Sequence, residues 1–292
     1  MSVNVHTLKS EARGAVTIEE TLISPSVAAA WLDKNVGNRS PSGSVVDRYA
    51  RDIAAGRWVL SGDPIRFDAA GNLLDGQHRL KACVKANTPF RSFVAYGIPA
   101  NARSVIDGQK PRRAKDVLFM AGYQNTVILV TAARWVVAYR HGYERTNNEI
   151  SPSNLEIELL IGRHKQLPAC VNQIRGAIGP YPGLIAFLHY VNSFVAKYPD
   201  TSLEFVEVFK TGVPSRPGCP AHRLREYFIK ERSSGVTLKR EDHFRLLVGT
   251  WNAFIGQGEV TRLSKPKSVW LYGVDKDRLW VPDSLKPEQA AP

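Results

Sequence analysis

Five consecutive residues, Asp75-Gly76-Gln77-His78-Arg79, bring together a carboxylate, a glycine, an imidazole and a guanidinium. They stand between an apolar pair, Leu73-Leu74, and the segment Leu80-Lys81-Ala82, whose apolar spacing is helical. That order predicts a strand, a tight turn at Gly76 and the first turn of a helix. Such a junction offers backbone N–H groups and the positive end of a helix dipole, a place where a phosphate can sit. Arg79 adds a permanent charge able to hold a phosphate through two parallel hydrogen bonds; its plainer reading is a surface helix arginine. His78 can bind a phosphate or act as an acid, because its charge changes near neutral pH; otherwise it serves the turn or caps the helix. Asp75 can orient Mg2+ or a hydroxyl nucleophile, or it bonds its own backbone as turn aspartates do. Gln77 completes the candidate phosphate-binding set with Gly76, His78 and Arg79. Asp63, ahead of Pro64, is a second carboxylate for which an ordinary structural role is the stronger reading.

The same strand-exit pattern recurs at Asp107-Gly108-Gln109, followed by Lys110, Arg112 and Arg113. These three cations could hold a second phosphate or a nucleic-acid backbone; the alternative is a solvated basic loop. Residues 76–115 carry nine Lys/Arg against one acid, Asp107, so they hold most of the chain's net +12. A field of that sign favours nucleotides and nucleic acid, DNA included, as partners.

Several chemistries are disfavoured. Cys83, Cys170 and Cys219 lie far apart and match neither a disulfide framework nor a zinc spacing, so inert buried thiols are expected. Neither Gly-x-x-x-x-Gly-Lys-[Ser/Thr] nor Gly-x-Ser-x-Gly occurs, which argues against P-loop NTPases and α/β-hydrolases. No apolar run approaches the roughly 20 residues needed to span a bilayer, and the N-terminal residues lack the pattern of a signal peptide. No membrane partner is therefore expected, and the chain is read as cytoplasmic. Farther on, His222, Arg223 and Arg225 gather near a helix start after the Pro/Gly loop Pro214–Pro220, where ordinary surface charge is the favoured reading. The Trp and Tyr residues could stack bases, but most sit at helical core spacing.

Along the chain, an α+β half precedes an α-helical half. A short strand fits Gly14–Ile23, helices fit Val27–Asn35 and Ser44–Ala55, and strand pieces fit Trp58–Leu60 and Pro64–Asp68. Ala69–Asn72 is a turn, Gln77–Ala86 a helix and Phe90–Gly97 a strand. Helices follow at Ala114–Ala121, Thr126–His141, from the Ser153 cap through Ile161, Leu184–Lys197, Leu203–Thr211, Ala221–Lys230 and Arg240–Gly256. This predicts an α+β domain over 1–123, a mixed sheet with helices; an α-helical domain over 124–262; and an irregular tail over 263–292, its end, from 283, mobile.

Gly56-Arg57-Trp58, Pro64-Ile65-Arg66-Phe67-Asp68 and Leu74-Asp75-Gly76-Gln77-His78-Arg79-Leu80-Lys81-Ala82 together resemble the ParB/sulfiredoxin superfamily, the fold named for ParB-like nucleases. The block Val105–Leu118, with its Asp-Gly turn and basic residues, is similar to a bacteriophage and prophage subgroup that continues into a helical C-terminal domain with a Trp-Asn pair, here Trp251-Asn252. The resemblance implies a nucleoside triphosphate, ATP or CTP, with Mg2+ as cofactors. It implies phosphate contacts at Gly76, His78 and Arg79, and a nucleotide-dependent phosphotransferase or NTPase acting on or with nucleic acid. It also implies a bacterial or phage-infected host cell as the setting. A second copy of the chain is a further expected partner. Sulfiredoxin requires a cysteine in the turn, which is absent, so that activity is not expected. Two alternatives stay open: a non-catalytic DNA-binding module, and a nuclease whose metal would be held by Asp63, Asp75 and Asp107.

Overall fold

The computed structural model describes residues 16–38, 40–99, 102, 106, 112–142, 150–177, 181–235, 238–259, 262–267 and 269–286. The chain divides into two compact units, Met1–Pro111 and Arg112–Pro292. Among the described residues, strands occur only in the first.

The first unit runs β1 (Thr17–Ile23), α1 (Pro25–Leu32), α2 (Gly43–Ala54), β2 (Ile65–Asp68), β3 (Leu73–Asp75), α3 (Gln77–Ala86) and β4 (Phe90–Ile98). The sheet order is β1-β4-β2-β3. β1 pairs antiparallel with β4 from Thr17↔Tyr96 to Ile23↔Phe90. β2 runs parallel to β4 and antiparallel to β3, with Arg66 opposite Asp75. α1 starts where Ser24 accepts the Val27 N–H at 3.2 Å and Pro25 occupies the first turn. α2 buries Val46, Ala50 and Ile53 along one stripe, which packs on α3. The β2–β3 turn is held by Asp68, whose carboxylate accepts the N–H groups of Ala70 and Asn72 and the Asn72 amide. Trp58–Leu60, expected as a strand piece, is irregular. It has no ladder partner, and Trp58 packs edge-on between Tyr49 and Phe90, at 5.4 Å from each ring.

The second unit contains α4 (Ala114–Met120), α5 (Thr126–Arg140), α6 (Asn154–Arg163), α7 (Leu167–Gln173), α8 (Pro182–Tyr190), α9 (Pro199–Thr211), α10 (Pro220–Ser234) and α11 (Arg240–Ile255). α5 and α8 are apolar nearly all round and form the centre, as such helices must. They approach so closely that a Cβ on Gly183 would lie 2.5 Å from the Thr131 Cβ. Trp135 stacks on Phe244, with ring centroids 4.9 Å apart. α4 belongs here because Ala114 and Leu118 join this core, which moves the unit boundary from the expected 123/124 to 111/112. α7 was not foreseen, since its short apolar run Leu167-Pro168-Ala169-Cys170-Val171 carries no helical period. α8 does not continue regularly to Lys197: Val191–Val195 is a π turn, and Lys197 adopts φ 67° before α9 begins at Pro199.

The described part of the segment after Leu263 carries two 3-10 turns, Lys276–Arg278 and Asp283–Leu285, and packs into the helical core through Leu271, Leu279, Val281 and Leu285. The Asn252 side chain holds it by donating to the Trp270 carbonyl at 2.8 Å and accepting the Tyr272 N–H at 3.0 Å. Residues 283–286, expected to be mobile, are tied down. Ser284 donates to Glu156 at 2.7 Å, and the His141 ring bonds the Leu285 carbonyl at 2.7 Å. Residues 287–292 lie outside the described residues. Among the described residues, no helix is long and apolar enough to cross a membrane.

Candidate functional site

The β3–α3 junction forms as its residue types require. Gly76 has φ 106° and ψ 1°, a left-handed backbone that disfavours any side chain. It also lies against β2: a Cβ there would stand 2.8 Å from Cγ1 of Ile65. The helix it begins therefore has no side-chain cap, because the capping position is a glycine. Such a helix start leaves backbone donors for an anion.

Arg79 does not project freely from this turn. Its side chain is 11% exposed. One guanidinium nitrogen donates to the Asp63 carbonyl and the other to the Pro64 carbonyl at 2.9 Å, the latter standing 3.6 Å from Asp75. Burial lowers its pKa, against the opposing pull of Asp75 and Asp63. In this arrangement Arg79 ties the segment before β2 to the first turn of α3.

Asp75 is likewise engaged on both oxygens. Oδ1 accepts the Gly76 N–H at 2.7 Å, and Oδ2 accepts Arg66 Nη1 at 2.5 Å. The Asp75 carboxylate is thus an internal partner of two arginines. Among the described residues no three His, Cys, Asp or Glu side chains gather as a metal group.

His78 is half-buried, and its Nε2 accepts the Ser42 N–H at 3.0 Å, which joins α3 to the residue preceding α2. Gln77 is buried at 6% exposure and accepts from Asn35 Nδ2 at 3.2 Å. Asn38 extends this set of amides to the Asn35 side chain and to the Leu73 carbonyl at 2.8 Å. The loop after α1 is thereby fastened beside the turn.

The structure brings Asp75, Gly76, Gln77, His78 and Arg79 together, with Asp63 beside them through its carbonyl. It adds three residues that sequence reasoning passed over: Arg66, Asn35 and Asn38. For Arg66 a signal existed, because hairpin pairing places it directly opposite Asp75. For the asparagines, some 40 residues distant in sequence, there was none. Lys110 lies outside the described residues, as do Asp107, Gly108 and Gln109. Arg112 and Arg113 are exposed and belong to the second unit. There the Arg113 N–H donates to Asp116 at 2.9 Å at the start of α4, and the Arg112 carbonyl accepts from Asn154.

The basic run is partly offset by acids outside it. Lys85 pairs with Asp47 at 2.6 Å, and Arg91 pairs with Glu20. The three cysteines are buried; burial pushes the Cys83 thiol up to about 11 and Cys170 up to about 12, so neither forms a thiolate near neutral pH. Comparison of the chain with family models, curated proteins and solved structures found no match in any of the three.

Proposed function

We propose that the first unit binds the phosphates of a nucleoside triphosphate, ATP or CTP, at the β3–Gly76–α3 junction, and that the nucleotide is used for phosphoryl transfer or hydrolysis with or on nucleic acid. The observation that carries this reading is Gly76: a left-handed glycine against Ile65 that starts a ten-residue helix with no side-chain cap. Its helix start supplies backbone donors and a dipole to an anion. The residue-by-residue resemblance of Leu74–Ala82 to the ParB/sulfiredoxin superfamily supports the choice of a nucleotide.

Within this proposal the residues divide into two roles. Gly76 and the backbone N–H groups of the first turn of α3 contact phosphate, and His78 holds that turn beside the start of α2 through the Ser42 N–H. Arg79, Asp75, Arg66 and Gln77 hold the turn in shape, because their polar atoms are already engaged with protein groups. Preorganisation of that kind lets a site stabilise charge without rearranging.

The test is thermal stabilisation by ATP, ADP, CTP and GTP, each with Mg2+, of wild type and of His78→Ala. Ligand binding to the native state raises the melting temperature in proportion to the logarithm of concentration over Kd. The expected result is a rise with one nucleotide in wild type and a diminished rise in His78→Ala. No rise with any nucleotide would overturn the proposal. DNA binding that weakens steeply with salt would then favour the DNA-binding alternative, and metal-dependent plasmid nicking the nuclease.

A further inference from the structure

Trp270, Tyr272 and Tyr198 stand side by side in the second unit, although Tyr198 is distant from the other two in the chain. The Tyr272 ring centre lies 6.2 Å from that of Trp270 and 6.1 Å from that of Tyr198, so it is the middle one of three. Trp270 is 54% exposed, Tyr272 is 48% exposed, and Tyr198 is half-buried. Single exposed aromatics are ordinary, but three in contact at the surface leave apolar area for a partner. Leu271, between Trp270 and Tyr272, is 1% exposed. The chain there turns one side chain into the core and holds its two neighbours out of it.

The backbone beneath these rings is fixed. The Asn252 side chain bonds the Trp270 carbonyl and the Tyr272 N–H, and the Leu271 N–H donates to the Tyr139 hydroxyl at 2.9 Å. Gly273 has φ 73°, and a Cβ there would stand 3.2 Å from Tyr198 Cε2, so the chain passes close to the third ring. The Tyr198 N–H donates to the Asn192 carbonyl at 2.9 Å, which ties it to the π turn. Rings held this way lose little freedom when a ligand stacks on them. The charge beside them is positive. Residues 262–267 carry Arg262, Lys265 and Lys267 and no acid. Lys265 pairs with Asp242 at 3.1 Å. Lys267 precedes Trp270 by three residues, and its carbonyl accepts Arg245 Nη1 at 2.6 Å. Lys267 and Lys197, the neighbour of Tyr198, are exposed, and their side chains enter no ion pair among the described residues. The acids that follow the rings are engaged: Asp275 pairs with Arg278 at 3.4 Å and Asp277 with Arg140. Asp200 lies in the first turn of α9, where a carboxylate complements the helix dipole.

We propose that Trp270, Tyr272 and Tyr198 form a platform on which the bases of single-stranded nucleic acid stack, with Lys197 and Lys267 meeting its phosphates. Every base has a π-face, so such a platform binds with little regard to sequence. A surface ring reaches a base face only where that base is unstacked, which makes a single strand, and not a duplex, the ligand. Aromatic clusters also hold quaternary ammonium groups, but the unpaired lysines here repel a cation and attract a polyanion. The platform gives the form of nucleic acid that the proposed nucleotide-dependent activity would meet, and it rests on that reading for its part in a joint function.

The test is fluorescence anisotropy of a labelled oligothymidylate, and of a labelled duplex of equal length, titrated with the full chain over a salt series. The expected result is tighter binding of the single strand. Trp270→Ala and Tyr272→Ala should each weaken it about fivefold or more, as loss of one stacked base does. Trp270→Phe should keep most of the affinity, since the smaller ring still stacks. Lys267→Ala should reduce the slope of log K against log salt by about 0.7, the value for one phosphate contact on a single strand. Equal affinity for the duplex, no binding of either, or binding unaltered in both alanine variants would overturn the inference. So would Trp270-dependent binding of a proline-rich peptide in the absence of oligothymidylate binding, which would assign the platform to protein recognition. If no nucleotide stabilises the chain while oligothymidylate still binds through Trp270, the nucleotide reading alone fails. If nucleotide stabilisation is found without such binding, the platform alone fails.

Discussion

Arg79 illustrates how a residue type that suggests ligand binding can be spent on the fold. Its fork meets two backbone carbonyls and stands near one carboxylate, at 11% exposure. Removal would leave the Asp63 and Pro64 carbonyls without their donor. Arg79→Ala is therefore expected to cost about 2–3 kcal/mol of stability in urea unfolding without nucleotide. Arg79→Lys should recover little, since an ammonium cannot reproduce a planar fork; full recovery would contradict the anchoring role. Gly76→Ala should cost about 1–3 kcal/mol, from the left-handed backbone and the contact with Ile65. Pairing it with Ile65→Ala separates the two causes, because that change removes Cγ1 and Cγ2, the atoms nearest to the added Cβ, and leaves the backbone strain. Strict additivity of the two substitutions would leave backbone strain as the whole cost.

Elements in this protein are joined by buried polar contacts as well as by apolar faces. The junction of α7, α8 and α9 is the clearest instance. His189 on α8 is 4% exposed, with Nε2 2.9 Å from Gln173 Oε1 and Nδ1 2.8 Å from Ser202 Oγ. The amide oxygen only accepts, so Nε2 carries the proton and Nδ1 accepts from the hydroxyl in the neutral ring. Burial lowers the His189 pKa to about 4 from 6.5. The unfolded chain thus binds the additional proton first as pH falls. Stability from this group is complete above pH 6.5 and is lost progressively from there toward pH 4. Urea unfolding from pH 7 to 4.5 should show that loss, and His189→Gln should flatten this part of the profile. An unchanged profile would assign the acid sensitivity to other groups. Where α8 crosses α5, Gly183→Ala should cost about 1–3 kcal/mol by overpacking against Thr131.

At the scale of the whole molecule, the segment 263–286 decides whether the helical unit is closed. Four side chains of this segment, Leu271, Leu279, Val281 and Leu285, are 1–3% exposed. Each contributes about 1.5–3 kcal/mol by burial, a sum comparable with the 5–15 kcal/mol that separates a folded domain from its unfolded chain. A chain ending at residue 262 should lose the cooperative thermal transition of the helical unit while the α+β unit keeps its own. Two intact transitions in calorimetry would show the segment to be dispensable. The sequence by itself determined the α+β then α-helical order, the span of α3 at Gln77–Ala86 and the turn at Gly76. These follow from local rules: apolar period, proline and serine at helix starts, glycine where φ is positive. It also singled out Asp75 to Arg79 as neighbours. Only the tertiary structure decided what those neighbours do. Whether a guanidinium faces solvent or two carbonyls depends on Asp63 and Pro64, which lead into β2 beside the start of α3. Whether Gln77 is buried depends on Asn35, and whether the segment 263–286 is loose or core depends on Asn252. Contacts between residues distant in the chain leave no period in it, so pattern alone could find the residues and not their partners.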